Sequence, residues 1–384
     1  MTPLTCPLGL ECENWYLSFL QDKEKKLIEE LGFKRIKTQK KIFYCEQGKI
    51  VYSFVFVKPE SFPAFSPLRR FLGIEKYQNM SEDFKNKLIM KATRTTYQKA
   101  IEDIHESFSF WISKKTLNRY VIESTERVNV IQEAEEDQNI LLADSTKARN
   151  GKKGHHEIMA VMSLNYQTNS SSLTAFGVNI KPKELAQKID LSKYKAFVGD
   201  GDLGLRNFFN ETTPFQLCHH HAISDVSFFL WRDGMSKKER DPLINRLKAT
   251  LYTLQNSTKK YWNDRDNERL TKRIIQTKED LRSLAVDFSI KEKHQAARYI
   301  MDHIEHIVTA SKLALLGIKV PWTTNHAERL MQEIGIRTKK KGMNWTEKGI
   351  KAILQPILKR YFLPKERRNY KEVFTQSIKK VVET

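Results

Sequence analysis

The chain has 384 residues, 40% of them hydrophobic and 29% charged, with 66 Lys and Arg against 46 Asp and Glu for a formal net charge of +20. That length allows two or three domains at ~100–200 residues each, and with no apolar run near the ~20 residues of a bilayer-crossing helix, a protein that spans a membrane by helices is not expected. So large an excess of cations points to a polyanion such as nucleic acid, bound in a salt-sensitive way through counterion release; a solvated basic surface is the plainer alternative.

Cys6, Cys12, Cys45 and Cys218 are too few and too scattered for a disulfide framework, so reduced thiols are expected. Met1-Thr-Pro-Leu4 carries neither the basic nor the apolar region of a secretory leader, and a cytoplasmic, nucleoid-associated product is expected. Cys6 and Cys12 stand too far apart for an ordinary zinc knuckle, which leaves zinc there as the minor alternative.

Residues 1–78 are expected to form an accessory module with a β-hairpin, Lys40–Cys45 and Ile50–Lys58 flanking a turn that contains Gly48. Residues 79–137 turn helical. Ser81 can cap one helix, and Tyr97, Ala100, Ile101, Ile104 and Phe108 mark the apolar face of another. Ser113 opens a third, which carries Lys114, Lys115, Thr116, Asn118 and Arg119 outward. The last pair resembles a helix-turn-helix that reads a major groove, with a merely wet polar face as the bland alternative.

From Asn139 the pattern changes to strands. Asn139–Asp144, His156–Leu164 and Ser172–Ile180 are consecutive and closely joined, which predicts an antiparallel meander. Pro182 then sits in the first turn of a helix, Tyr194–Asp200 is a fourth strand, Leu203–Phe209 a short helix and Pro214–Cys218 a fifth strand. The order β-β-β-α-β-α-β predicts a ribonuclease-H-like mixed five-stranded sheet, an α/β fold beginning in residues 138–222. Residues 223–318 carry apolar stripes at helical spacing, Ile244, Leu247, Leu251 and Leu254 among them, and are expected to be an all-helical insertion. Residues 319–384 hold a late helix that contains Glu328 and complete the catalytic domain with a basic helical tail.

Apolar strands lead directly into Asp144 and Asp200, where a buried charge is costly without a cation or a hydrogen-bond partner. Hard divalent cations want oxygen ligands, and two of them ~3.5–4 Å apart can clamp the attacking and leaving oxygens of a phosphodiester. Asp144, Asp200 and Glu328 are therefore expected to meet at one sheet edge and to hold Mg²⁺, with Mn²⁺ able to substitute.

The motifs Asp144-Ser-Thr146, Asp200-Gly-Asp-Leu-Gly-Leu205, Cys218-His-His-His221 and Asn325-His-Ala-Glu328 with Arg337, in this order, resemble the DDE transposases of the Mutator-like superfamily. The resemblance covers residues 139–345. It implies Asp144, Asp200 and Glu328 as the catalytic, metal-binding triad, Cys218 and His221 as supports beside it, and Asn325 and Arg337 as residues that orient the glutamate helix or touch phosphate. Asp202 and Glu333 offer alternative carboxylates; Asp200 is preferred because Gly201 follows it, and Glu328 because Asn325 precedes it by about a turn. A zinc site on Cys218, His219 and His221 is a second alternative.

The function implied is that of an insertion-sequence transposase. It would bind the terminal inverted repeats of double-stranded DNA, cleave a strand and transfer it to target DNA, working as a homodimer or larger assembly away from any membrane. A nuclease on the same fold without strand transfer, or a non-catalytic DNA-binding protein derived from a transposase, are the rival expectations.

Overall fold

The computed structural model describes residues 10–45, 48–58, 63–67, 79–124, 131, 139–151, 154–166, 168–201, 203–208, 213–339 and 343–362. The chain forms two compact units, one within Met1–Arg127 and the other from Val128 to Leu363. Among the described residues no helix is long and apolar enough to cross a membrane. Cys6, and the expected basic tail beyond Phe362 with Arg367 and Lys379, lie outside the described residues.

The first unit contains α1 (Leu10–Glu30), an antiparallel hairpin of β1 (Lys34–Cys45) and β2 (Gly48–Lys58), and three helices, α2 (Glu82–Ala92), α3 (Tyr97–Phe108) and α4 (Lys114–Ser124). The hairpin is longer than expected, running from Lys34 paired with Lys58 to Cys45 paired with Gly48. Its early part, Lys34–Lys41, is too polar to show the alternation that marks a strand. Ser81, Thr96 and Ser113 each accept a backbone amide at the start of α2, α3 and α4, which satisfies donors that a helix start leaves free. The boundary expected at residue 78 does not separate two bodies, because Tyr44 on β1 packs on Phe84 of α2 at 6.0 Å and on Phe110 at 4.4 Å.

The second unit is α/β, with a five-stranded mixed sheet in the order β5-β4-β3-β6-β7. β3 (Ile140–Arg149), β4 (His155–Asn165) and β5 (Ser170–Val178) form the expected antiparallel meander, while β6 (Ala196–Gly199) and β7 (Phe215–Leu217) run parallel to β3. The link from β5 to β6 carries the short helix α5 (Pro182–Ala186), which has its proline in the first turn as expected. Apolar residues at alternate positions cover both faces of β3. Leu141 and Ala143 enter a core with Phe197, Leu217 and the helices beyond β7, and Ile140 and Leu142, also buried, face the other way.

After β7 the chain is helical, as expected: α6 (His219–Arg232), α7 (Lys237–Asp264), α8 (Asn267–Ile290), α9 (His294–Ile307) and α10 (Thr309–Leu315). The stripes read from spacing, Ile244, Leu247, Leu251 and Leu254 on α7 and Leu270, Ile274 and Leu281 on α8, are all buried in the core that includes the sheet residues. These helices therefore share their interior with the sheet instead of forming a separate bundle. α11 (Asn325–Thr338) packs against β3, and α12 (Glu347–Phe362) packs on α11 and β5.

Candidate active site

Parallel pairing brings the first two carboxylates together. Ile140 is level with Ala196, Leu141 with Phe197 and Leu142 with Val198, so two further steps set Asp144 beside Asp200. Because side chains on a strand alternate, Asp144 shares the face of Ile140 and Leu142, opposite the core that Leu141 and Ala143 enter. The expectation that Asp144 ends its strand is corrected: β3 continues to Arg149, paired only with β4, because β6 stops at Gly199. Asp144 still lies at the rim, one step past the last residue that β6 could cover. Asp200 directly follows β6, at the carboxyl end of the parallel strands where open α/β sheets place their ligand sites.

Neighbouring backbone carries the next residues to the same rim. The Cys218 amide donates to the Gly199 carbonyl at 2.8 Å, and the His219 amide donates to the Trp322 carbonyl at 2.8 Å. The end of β7 is thereby tied both to the Asp200 turn and to the segment that leads into α11. Cys218 is the residue before α6, and His221 lies three positions on, within its first turn. Residues three apart share a helix face. Glu328 stands in the first turn of α11, after Thr324. The Thr324 side chain makes no capping bond; its hydroxyl contacts Glu328 Oε1 at 3.0 Å and Cys218 Sγ at 3.5 Å. The ligand atoms of Cys218, His221 and Glu328 all lie within 4.8 Å of one another.

The electrostatics join the two halves of the site. Burial pushes the Asp144 carboxyl up to about 6, and Asp200 and Glu328 add to the rise, while the Ser145 amide and His221 oppose it. His221 is raised to about 9, first by the Cys218 sulfur and then by Asp200 and Asp144, against the effect of burial. Burial alone would raise the Cys218 thiol, but contact with His221 and Thr324 brings it below its ordinary value. The result is a cluster of acidic groups with one imidazolium among them.

The structure separates the other expected residues. Glu333 points to α12, where Arg360 binds it at 2.5 Å, which leaves Glu328 as the carboxylate of this helix at the rim. Asp202 lies outside the described residues. His219 is turned away from Cys218: its Nε2 meets the Ile307 carbonyl at 2.9 Å and its Nδ1 meets Gln255 at 2.8 Å. Burial lowers His219 to about 4, so it is a neutral core residue and not a zinc ligand beside Cys218 and His221. Asn325 is exposed at the start of α11. Arg337 is 0% exposed, with its guanidinium 4.8 Å from the Trp345 ring and bonded to the Met343 sulfur. It cannot touch phosphate, and it anchors the far end of the glutamate helix. Trp345 is in turn held by the Arg149 and His156 contacts of β3 and β4.

In the first unit, Lys114, Lys115 and Arg119 are exposed on α4, while Leu117 and Val121 are buried beneath them. Thr116 bonds Ser113, and Asn118 accepts from the Tyr97 hydroxyl at 3.3 Å, so these two help to fasten α4.

Sequence reasoning missed Thr324 as the link between Glu328 and Cys218, and it missed Tyr299. On α9, the Tyr299 hydroxyl donates to Asp225 at 2.8 Å, and a Cβ added at Gly201 would come within 3.2 Å of that hydroxyl. Burial, then Asp225 and Asp200, hold the phenol well above its ordinary pKa, so it stays a donor. The glycine after Asp200 thus gives space to a helix of the segment beyond β7. No protein-family model matches the chain, and a search of curated proteins finds no significant match.

Proposed function

We propose that the chain is a DNA transposase of the Asp-Asp-Glu type, resembling the Mutator-like superfamily. It binds the terminal repeats of a mobile element, cleaves a strand and joins the freed 3′-hydroxyl to target DNA. What supports this reading is the β3–β6 register, which sets Asp144 beside Asp200, together with the electrostatic influence of Asp200 and Glu328 on Asp144 from distant stretches of the chain. The sheet order β5-β4-β3-β6-β7, with the first three strands antiparallel and the last two parallel to β3, supports a ribonuclease-H-like domain. A helical segment between β7 and the glutamate helix matches the order that the resemblance implies.

The carboxylate set fits hard divalent cations. Asp144 resists ionisation because of burial and its two acidic neighbours, a conflict that Mg²⁺, or Mn²⁺ in its place, would resolve. Asp144, Asp200 and Glu328 would hold such ions, whose chemistry is to activate an attacking oxygen and neutralise charge at the phosphodiester. The protein's own work is positional: the β3–β6 register aligns the two aspartates, the Thr324 hydroxyl fixes the Glu328 carboxylate, and the Arg337–Trp345 stack holds its helix.

The reading is tested with purified protein, Mg²⁺ and a pre-cleaved element end that carries a 3′-hydroxyl. Joined products are expected from the wild type and none from Glu328→Gln, with equal DNA binding by both. Cutting that never leads to joining would identify a nuclease instead, and undiminished cutting by Glu328→Gln would remove this residue from the chemistry.

The first unit supplies the DNA contacts in this proposal. Lys34, Arg35, Lys37 and Lys40 are exposed on β1, and neither hairpin strand contains an acidic residue. Lys114, Lys115 and Arg119 add a second exposed basic group on α4. The 3.6 Å contact of Arg119 with Glu123 lies on the surface and is easily exchanged for phosphate. Lys115→Ala with Arg119→Ala is expected to weaken duplex binding and to lower the slope of log K against log salt by ~2, since each lost phosphate contact removes ~0.9. An unchanged slope in a salt titration would retire α4 as a phosphate-binding helix. Pairing two element ends favours two copies of the protein, so a homodimer or larger assembly on DNA is part of the same proposal.

A further inference from the structure

We propose that Cys218, His221 and Glu328 form a site for a soft divalent cation of the zinc class, and that filling it withdraws Glu328 from the Asp144–Asp200 pair. The ligand atoms of these residues lie within 4.8 Å of one another. Around a tetrahedral zinc ion, ligand atoms at ~2.0–2.3 Å from the metal are ~3.3–3.8 Å apart, so only small side-chain movements separate the present arrangement from coordination. Sulfur and imidazole ligands favour zinc-class ions over Mg²⁺, which wants oxygen alone.

The site is built and not fortuitous in its parts. Cys218 is held by its amide on the Gly199 carbonyl, and His221 follows on the same helix face. One hydroxyl, that of Thr324, touches both the Cys218 sulfur and the Glu328 carboxylate, which brings two of the ligands together from stretches far apart in the chain. The Nδ1 of His221 is buried and makes no hydrogen bond. His221 and Glu328 are half-buried, which leaves the remaining coordination position to solvent or to a neighbouring oxygen.

Glu328 is common to both ligand sets, so a zinc-class ion that binds its carboxylate draws it away from the Mg²⁺ pair. A zinc-class ion would therefore inhibit the Mg²⁺-dependent reaction by competing for one carboxylate. Only this consequence rests on the transposase reading; the binding site itself does not.

The full-length, metal-free protein is titrated with Co²⁺ and then with Zn²⁺. About one Co²⁺ per chain is expected, with a sulfur-to-cobalt charge-transfer band, displaced by about one Zn²⁺. Cys218→Ser is expected to lose the band, and His221→Asn to weaken Zn²⁺ at least ~10-fold, the size of effect that even indirect partners of a metal have on affinity. A variant with Cys6, Cys12 and Cys45 all changed to Ser is expected to keep the band. Circular dichroism establishes that each variant is folded, and the two ligand variants report independently if one of them is not. A band that survives in Cys218→Ser, or that disappears in the triple variant, would overturn the proposal, as would no Co²⁺ binding by the wild type. In strand joining with Mg²⁺ in excess, equimolar Zn²⁺ is expected to cut the yield by about 10-fold or more, the advantage that thiolate and imidazole ligands give zinc-class ions. Undiminished joining with Zn²⁺ bound would refute the competition. A protein that binds Co²⁺ as expected but never joins DNA would sink the transposase reading and leave the metal site standing.

Discussion

Asp144→Asn is expected to abolish strand cleavage, by ~10³-fold or more given the share of catalysis that metal ligands carry, and yet to make the metal-free protein more stable. Burial, Asp200 and Glu328 hold the carboxyl at about 6 against an ordinary 3.8. At neutral pH the folded protein therefore carries a charge that its surroundings oppose, a cost of ~3 kcal/mol at full strength by linkage. Asp144 is only half-buried, and solvent screening reduces the expected gain to ~1–2 kcal/mol, or ~2–6 °C in Tm.

The sign follows from the raised value. Between 3.8 and about 6 the unfolded chain gives up this proton while the folded one keeps it, so the wild type loses stability as pH rises through that window. The advantage of the Asn variant should be full above about 6 and absent below 3.8. Mg²⁺ should reverse the order, raising the Tm of the wild type and leaving the variant unmoved. Thermal melts in chelator and in Mg²⁺ at two pH values measure all of this. A variant less stable than wild type in chelator at neutral pH would mean that Asp144 is an ordinary structural partner and not a carboxylate kept for a cation.

Arg337→Ala is expected to cost ~3 kcal/mol of stability, within the range for emptying a fully buried large side chain. The guanidinium stacks on Trp345 and contacts the Met343 sulfur, and its long stem fills the space under α11. Trp345 is tied to β3 and β4 through its backbone, so the stack is the clamp between the glutamate helix and the sheet that carries Asp144. Arg337→Lys keeps the charge and loses the flat stack, and should fall between wild type and Ala. Urea unfolding gives the comparison; an Ala variant with the wild-type midpoint would show that the clamp is not needed. A fall in joining rate under conditions where the Ala variant is fully folded is the further expected sign that α11 aims Glu328.

The sheet was legible because its strands are continuous apolar runs bounded by turns, and the aspartates were legible because each sits where such a run stops. Glu328 could be chosen over Glu333 only by its distance from Asn325, and the Arg360 partner that removes Glu333 comes from a helix whose placement no local pattern reveals. Other features left no trace. Lys34–Lys41 forms a strand while reading as polar linker, since its side chains are largely exposed on both faces and pairing with β2 supplies the order. The Thr324 hydroxyl looks like a helix cap in the sequence, and it becomes a bridge to Glu328 and Cys218 only when β7 and α11 are neighbours. Tyr299 belongs to an amphipathic helix whose spacing marks it as core, and nothing nearby in sequence signals that it meets Gly201. His219, His220 and His221 are one repeated residue in the chain and three environments in the fold: buried and neutral, exposed, and charged beside the acids.

The interposed helices α6–α10, which share a core with the sheet, bear on synthesis at the ribosome. The two aspartates emerge early and can align as soon as β3 and β6 pair, whereas Glu328 emerges only after all of these helices, and α11 finds its seat against a sheet they have already helped to close. Loop closure over such a span delays assembly. Under the proposed function, a chain that stops between α10 and α11 would carry both aspartates without Glu328, and it is expected to bind DNA without cutting it.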